Sequence, residues 1–214
     1  RKKIFIIEDS AQAHGGKDNY GNSIGKYSDM SCYSFYPGKN LGCYGDGGII
    51  TTNNKKFYQK LIKLRNLGAK KKHIHTEIGV NSRLDTVQAT LLNLKLNSLD
   101  KLNLKRKNIA NFYRMKIKNN KIILMEHSKN SVYHQFVILV RNRAKLIRHL
   151  KKNLIQYGIH YPLSINKLNC FVDLFKNQKF KNAEYIAKSC LSLPIDPNLT
   201  GNDLKKICDV LNDY

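Results

Sequence analysis

Ser34-Phe-Tyr-Pro-Gly-Lys39-Asn-Leu-Gly-Cys-Tyr-Gly-Asp-Gly-Gly48 sets one lysine among small, turn-forming residues. Cys32–Phe35 before it and Gly48–Thr52 after it read as strands. Gly42, Gly45, Gly47 and Gly48 are expected to let the backbone take positive φ and approach a ligand closely. An amine held on such a loop loses its proton more easily than one in water, because desolvation disfavours ammonium. The neutral amine is the form that attacks a carbonyl to make a Schiff base. The alternative reading of Lys39 is an ordinary loop lysine near the surface.

Working outward, Lys3-Ile-Phe-Ile-Ile-Glu-Asp9-Ser-Ala-Gln12-Ala-His-Gly-Gly16 reads as a strand running into a turn. The apolar run Ile4–Ile7, bounded by charge, has the pattern of a central strand in a parallel sheet. Ligands of open α/β sheets bind at the carboxyl ends of strands, where Asp9 falls. A carboxylate there can pair with a protonated pyridine nitrogen. Together with a Schiff-base lysine it makes the minimum apparatus for pyridoxal phosphate (PLP) chemistry. The bland alternative for Asp9 is a strand-end residue capping a turn.

With those two stretches, Gly45-Asp-Gly-Gly48, Gly79-Val-Asn81-Ser-Arg83-Leu-Asp-x-x-Gln88-Ala89 and Leu191-Ser-Leu-Pro194 occur in order. In this the chain resembles the DegT/DnrJ-type nucleotide-sugar aminotransferases. The resemblance implies an α/β, fold-type-I PLP-dependent transferase. It also implies an amino-acid donor, with glutamate expected, a nucleotide-linked keto-sugar acceptor, ping-pong chemistry and a homodimer with shared active sites. Members of this family are usually nearly twice as long, and the chain begins with Arg1. It is therefore expected to be the C-terminal part of the large PLP-binding domain (1–103) followed by a small α+β domain (104–214). A catalytically inactive fragment serving as a structural or dimerisation remnant is the alternative.

The resemblance also implies residue roles. Lys39 would hold the cofactor and shuttle the proton. Relatives that carry histidine there run a dehydration, against which Lys39 argues. Asp9 would keep the pyridine nitrogen protonated, Gln12 would contact the ring-hydroxyl side and Ser34 the phosphate. Asn81 would reach the phosphate of the partner subunit and Arg83 the anionic groups of the sugar nucleotide. His160 and Tyr161, in His-Tyr-Pro, would line the substrate entrance. Asn166 stands where many relatives have histidine. The loop form is closest to members that aminate the sugar at C3, in glycan or surface-polysaccharide synthesis. A 3-keto UDP-N-acetyl-hexuronate is the substrate expected.

Simpler readings accompany several of these residues. Gln12 would be a turn glutamine, and Ser34 would bond its own backbone. Asn81 or Ser82 would cap the next helix, with Asp85 in its first turn. His160 and Tyr161 would pack a short strand. His14 reads as a structural histidine, since Lys39 already supplies a base.

The 214 residues carry a formal net charge of +23 from 38 Lys and Arg against 15 Asp and Glu. Only eight of the 38 are arginine and the lysines are spread over the whole chain. That is the mark of a compositional bias, and no nucleic-acid motif accompanies it. A basic surface would steer an anionic nucleotide sugar. The cysteine count is odd, at five, and contains no C-x-x-C, which favours a reducing cytoplasm over a disulfide framework. No run approaches the roughly 20 apolar residues needed to span a membrane. His73 and His75 lack further ligands at metal-site spacing, so no metal is expected.

Periodicity predicts helices over 55–67, ended by Gly68, and over 83–115 with a break near Ser98–Asp100. Gly68–Val80 reads as a polar, basic loop. Beyond it, strands are expected at 122–125 and 132–140. A helix over 144–157 should be stopped by Gly158, followed by a short extended piece at 159–161 and helices over 182–189 and 202–211.

Overall fold

A computed structural model describes residues 4–126 and 128–214. Lys3, the charge that bounds the first apolar run, lies outside them. The fold is mixed α/β and forms two compact units, Arg1–Leu104 with Lys129–His134, and Lys105–Ser128 with Gln135–Tyr214. A single cut near residue 104 thus misses the return of 129–134 to the first unit. Two amides hold that return: Asn40 Nδ2 donates to the Val132 carbonyl at 2.9 Å, and Asn130 Nδ2 to the Asp18 carbonyl at 2.6 Å.

The first unit is built on a three-stranded sheet. β1 (Ile7–Asp9) pairs parallel with β2 (Met30–Ser34), which pairs antiparallel with β3 (Gly48–Thr51), in the order β1-β2-β3. Two expectations for the first strand are corrected. Only Ile7 of the apolar run enters β1, and β1 is an edge strand among the described residues. The side chains of Ile4, Phe5, Ile6 and Ile7 are all more than half exposed. Hydrophobicity records a tendency to be buried; it does not supply the covering surface.

α1 (Lys55–Leu64) starts where Asn54 Oδ1 accepts from the Lys56 and Phe57 amides, satisfying two donors the helix leaves open. It stops three residues before the expected 67. The next stretch, expected to be a loop, contains a small hairpin, β4 (Ala69–Lys71) with β5 (Ile74–His75). Backbone bonds stitch this segment to the end of α1: Leu67 N to Val80 O, Val80 N to Leu64 O and Ser82 N to Arg65 O, at 2.9–3.0 Å. Gly68 makes the crossing possible. Its φ is +74°, and a Cβ there would lie 1.7 Å from the Glu77 carbonyl oxygen.

α2 (Thr86–Leu96) and α3 (Leu99–Lys116) meet at Asn97 and Ser98, matching the break expected near Ser98–Asp100. Asp85 is itself the N-cap residue, so Asn81 and Ser82 do not cap α2. Phe35, Leu41, Cys43, Leu92 and Leu99 form the buried cluster of this unit, with Leu84 against it. The lysine loop therefore packs on the two helices through Leu41 and Cys43.

In the second unit β6 (Ile122–Leu124), β7 (Phe136–Val140) and β8 (Cys190–Leu193) form an antiparallel sheet with β7 central. β7 begins at Phe136, not Val132, and β8 lies where the sequence showed only a motif. α4 (Arg143–Lys152), a 3-10 turn (Ile165–Lys167), α5 (Lys181–Ser189) and α6 (Gly201–Asn212) complete the unit. α4 ends well before Gly158: the chain turns at Leu154, whose φ is +58°. Gly158 instead bridges to Ser192 through two backbone bonds of 2.8 and 3.0 Å. The core holds Phe136, Ile138, Leu146, Leu150, Leu191 and Leu211 around Tyr113, whose hydroxyl donates to the Pro194 carbonyl at 2.7 Å. No helix among the described residues is long and apolar enough to cross a membrane.

Candidate functional site

Because β1 and β2 run parallel, their carboxyl ends open on one edge of the sheet, and β3 leaves from that same edge, Ser34 opposite Gly48. Asp9 is the last residue of β1 and Ser34 the last of β2. The chain thus delivers a carboxylate, a hydroxyl and the Lys39 loop to one place, as open α/β sheets do at ligand sites.

Asp9 is exposed; its Oδ1 accepts from the Ala11 amide at 3.0 Å and so begins the turn that carries Gln12, also exposed. The Ser10 and Ser31 hydroxyls, both buried, lie 2.7 Å apart and tie the start of this turn to β2. The Ser34 hydroxyl oxygen accepts from the Tyr36 amide at 3.2 Å, which leaves its proton to donate. Lys39 is half-buried, on a turn closed by its amide bonding to the Tyr36 carbonyl at 2.9 Å.

The glycines of this loop act differently from expectation. None of Gly42, Gly45, Gly47 and Gly48 has positive φ. Gly42 is required by close approach instead: a Cβ there would stand 2.4 Å from the Pro37 carbonyl oxygen and 2.7 Å from that of Tyr36. The loop folds back on itself, with Cys43 N bonding Phe35 O at 2.8 Å and Phe35 N bonding Gly47 O at 2.7 Å. α2 braces it from outside. Gln88 Oε1 accepts from the Tyr44 amide at 2.8 Å, and Lys95 Nζ donates to the Gly42 carbonyl while lying 5.4 Å from the Tyr44 ring centroid.

His14 joins the two loops. It is only 4% exposed, with its ring 5.4 Å from that of Tyr33 and 5.8 Å from that of Phe35. Neither ring nitrogen makes a hydrogen bond of good geometry. Burial lowers its pKa first, and the Lys39 charge lowers it further; the Ser34 carbonyl works weakly in the other direction. The Asp9 and Lys39 loops therefore belong to one electrostatic neighbourhood.

Asn81 and Arg83 are exposed and belong to a different bonding group. Asn81 bridges to Asn66, whose Oδ1 accepts from Arg83 at 2.9 Å. No hydrogen bond found among the described residues joins either to Asp9 or Lys39. His75, whose Nδ1 lies 2.9 Å from the Leu67 carbonyl, braces the hairpin, and no described cluster of His, Cys, Asp or Glu is suited to a metal. All five cysteines are free thiols.

His160 and Tyr161 belong to the second unit. His160 Nδ1 is 2.9 Å from Ser192 Oγ, and the Tyr161 carbonyl lies 3.5 Å from Cys190 Sγ, so β8 holds both. Asn166 is buried and donates to Glu184 Oε1 at 2.9 Å. That bond, with Lys167 at 3.6 Å, holds the Glu184 carboxyl below its usual pKa. Asn166 therefore secures the 3-10 turn to α5.

Sequence reasoning missed Asn66, Lys95 and Asn103 as parts of this arrangement. Asn103 left one trace, a polar residue at a core-facing position of an amphipathic helix.

The carboxylate, hydroxyl, amide and amine that β1, β2 and the loops after them carry at this end of the sheet are the kinds of group that would suit the pyridine nitrogen, phosphate, ring hydroxyl and carbonyl of PLP. The chain is 40% identical to the dTDP-3-amino-3,6-dideoxy-alpha-D-galactopyranose transaminase of Aneurinibacillus thermoaerophilus, over 99% of this chain and 58% of that protein. It superposes on DesV of Streptomyces venezuelae, solved with a ketimine intermediate, with a TM-score of 0.91 and 34% identity, covering 98% of this chain and 57% of that one. NtdA of Bacillus subtilis, solved with bound cofactor PMP, matches with a TM-score of 0.85 and 28% identity, covering 97% of this chain and 49% of that one. The chain thus spans a little over half the length of the curated relatives it matches. With residues 1–212 matching its family-wide pattern as well, the chain belongs to the DegT/DnrJ/EryC1/StrS aminotransferase family.

Proposed function

We propose that the protein carrying this chain transfers an amino group from an amino acid, glutamate being the donor expected, to C3 of a nucleotide-linked keto-sugar, using PLP. The observation that carries the reading is the delivery of Asp9, Ser34 and the Lys39 loop to one edge of the sheet. PLP, when bound, supplies an aldehyde for amine exchange and a ring that accepts electrons. Lys39 Nζ would hold it and would take up or give back a proton at the amine-bearing carbon of whichever substrate is bound. Asp9, whose Oδ1 accepts from the Ala11 amide, would use its other oxygen to keep a proton on the pyridine nitrogen. Gln12 and the Ser34 hydroxyl orient the group, since each can still donate.

The C3 assignment has the support of the relative named for a 3-amino sugar. Arg83, steadied by Asn66, suits phosphate or carboxylate groups of the sugar nucleotide, because guanidinium bonds them in bidentate fashion. Asn81, exposed and bonded away from Lys39, is read as serving the site of a second copy in a homodimer.

Reduction with borohydride in the presence of PLP tests this reading. It should fix the pyridoxyl phosphate group to Lys39 of the intact protein, and Lys39→Ala should abolish labelling. Labelling of a different lysine would overturn the assignment. A panel of 3-keto and 4-keto sugar nucleotides, including UDP-N-acetyl-hexuronates, then identifies the acceptor. Turnover of 4-keto sugars alone would refute the C3 reading.

A further inference from the structure

Asn103 lies on α3 and is 9% exposed. Its Nδ2 donates to the His14 carbonyl at 2.8 Å. Its Oδ1 accepts from Asn40 Nδ2 at 2.8 Å. Asn40 directly follows Lys39, and the same Nδ2 also donates to the Val132 carbonyl at 2.9 Å. His14 sits in the turn closed by Gly16 N to Ala13 O, which directly follows the turns that Asp9 begins. One side-chain amide is therefore bonded at its two ends to the two loops that carry the proposed chemistry.

We propose that Asn103 is a positioning residue that sets the place of Lys39 relative to Asp9 by tying both loops to α3. The proposal rests on the reading of Lys39 as the residue that holds PLP. Three features support a positioning role over simple packing. An amide has one donating and one accepting end, so its bonds dictate its orientation; an apolar side chain of the same volume would fill the space without dictating any. The contact is tight: a Cβ on Gly15, the residue after His14, would come within 2.8 Å of Asn103 Nδ2. Asn40 keeps both its donors engaged while its own Oδ1 is buried without a hydrogen-bond partner. The fold accepts that unmet acceptor, which is the pattern expected when an orientation is held for a purpose. The neighbouring Leu99 packs in the cluster with Phe35 and Leu41, so α3 is a firm anchor for the lysine loop.

The test uses the intact protein with Asn103→Ala, Asn103→Leu and Asn40→Ala. Hydrogen exchange without PLP is followed in peptides covering 10–16, 36–43 and, as a reference, 136–140. Asn103→Ala should speed exchange about tenfold in both loops, the effect of losing about one hydrogen bond, and leave 136–140 unchanged. Asn40→Ala should speed it in 36–43 alone. With PLP present, Asn103→Ala should slow borohydride fixation at Lys39 and lower kcat for amine exchange, each about tenfold, while KM for the amino donor stays within twofold. Asn103→Leu keeps the volume and should behave like Asn103→Ala; if the alanine variant loses protection at 136–140, the leucine variant decides. Exchange rising in one loop only with Asn103→Ala, or wild-type kcat in Asn103→Leu, overturns the proposal. If wild-type protein fixes PLP elsewhere than Lys39, the functional reading fails, while the exchange pattern still decides whether Asn103 couples the loops.

Discussion

Replacing Gly42 with alanine should strain the lysine loop without touching any reactive group. The added Cβ would stand 2.4 Å from the Pro37 carbonyl oxygen, 2.7 Å from that of Tyr36 and 2.8 Å from the Pro37 carbonyl carbon. All three atoms are backbone, so no side chain can swing aside. Relief of roughly 1 Å must come from the turn holding Lys39 or from the Leu41–Cys43 strip. Moving the first stretches the Lys39 N to Tyr36 O bond, and moving the second the Cys43 N to Phe35 O bond. One such bond is worth about 1 kcal/mol. Forcing buried Leu41 and Cys43 off their packing adds about 1–3 kcal/mol, the usual cost of overfilling a core. The total expected is about 2–4 kcal/mol, read as a fall in the urea midpoint of the intact protein, together with slower fixation of PLP at Lys39. Gly201→Ala is the control. Gly201 opens α6 with nothing within 4 Å of its would-be Cβ, so alanine there should be neutral or stabilise by up to about 1 kcal/mol. A Gly42→Ala protein within about 0.5 kcal/mol of wild type, or the two variants behaving alike, would refute the close-approach argument.

Further outcomes follow from other parts of the structure. His14 is buried and its pKa is lowered, so as pH falls the unfolded chain takes up the proton first. Its contribution to stability is complete above about pH 6.5 and declines below it. His14→Phe should remove that part of the pH dependence of urea unfolding; curves that stay parallel to wild type between pH 7 and pH 5 would contradict it. Lys39→Ala and Asn81→Ala proteins, each inactive alone, should regain activity when their subunits exchange, because one site of a mixed dimer then has both residues intact; proven exchange without recovery would place Asn81 in its own chain's site. Ile4–Ile7 leave an apolar β1 edge of the sheet exposed on this 214-residue chain. Expressed by itself it should self-associate, and Ile6→Lys should reduce light scattering; equal scattering from both would show that this edge is not responsible. Asn54→Ala should cost about 1 kcal/mol of stability through the lost α1 cap, measured by the same urea midpoint.

Much of the site was legible in the sequence because its parts are local. A strand, a carboxylate at its end and a lysine between glycines are each contained in about fifteen residues, and residue type alone says what a carboxylate or an amine can do. The start and end of α1 were readable to within a few residues for the same reason, since Asn54 caps through its own neighbours.

What only the tertiary structure decided depends on atoms far apart in the chain. Gly42 is glycine because Pro37 and Tyr36 fold back onto it, not because its φ is positive, and composition cannot separate those two causes. Gly158 looked like a helix stop and is instead the partner of Ser192, 34 residues on, because a bridge between distant strands leaves no periodic trace. Asn103 shows its part only once the fold sets it between His14 and Asn40, 89 and 63 positions away. An amide's worth depends on what faces its two ends, and that is settled by packing. Residue chemistry therefore announced which groups are able to react, while the return of the chain upon itself decided what they are bonded to.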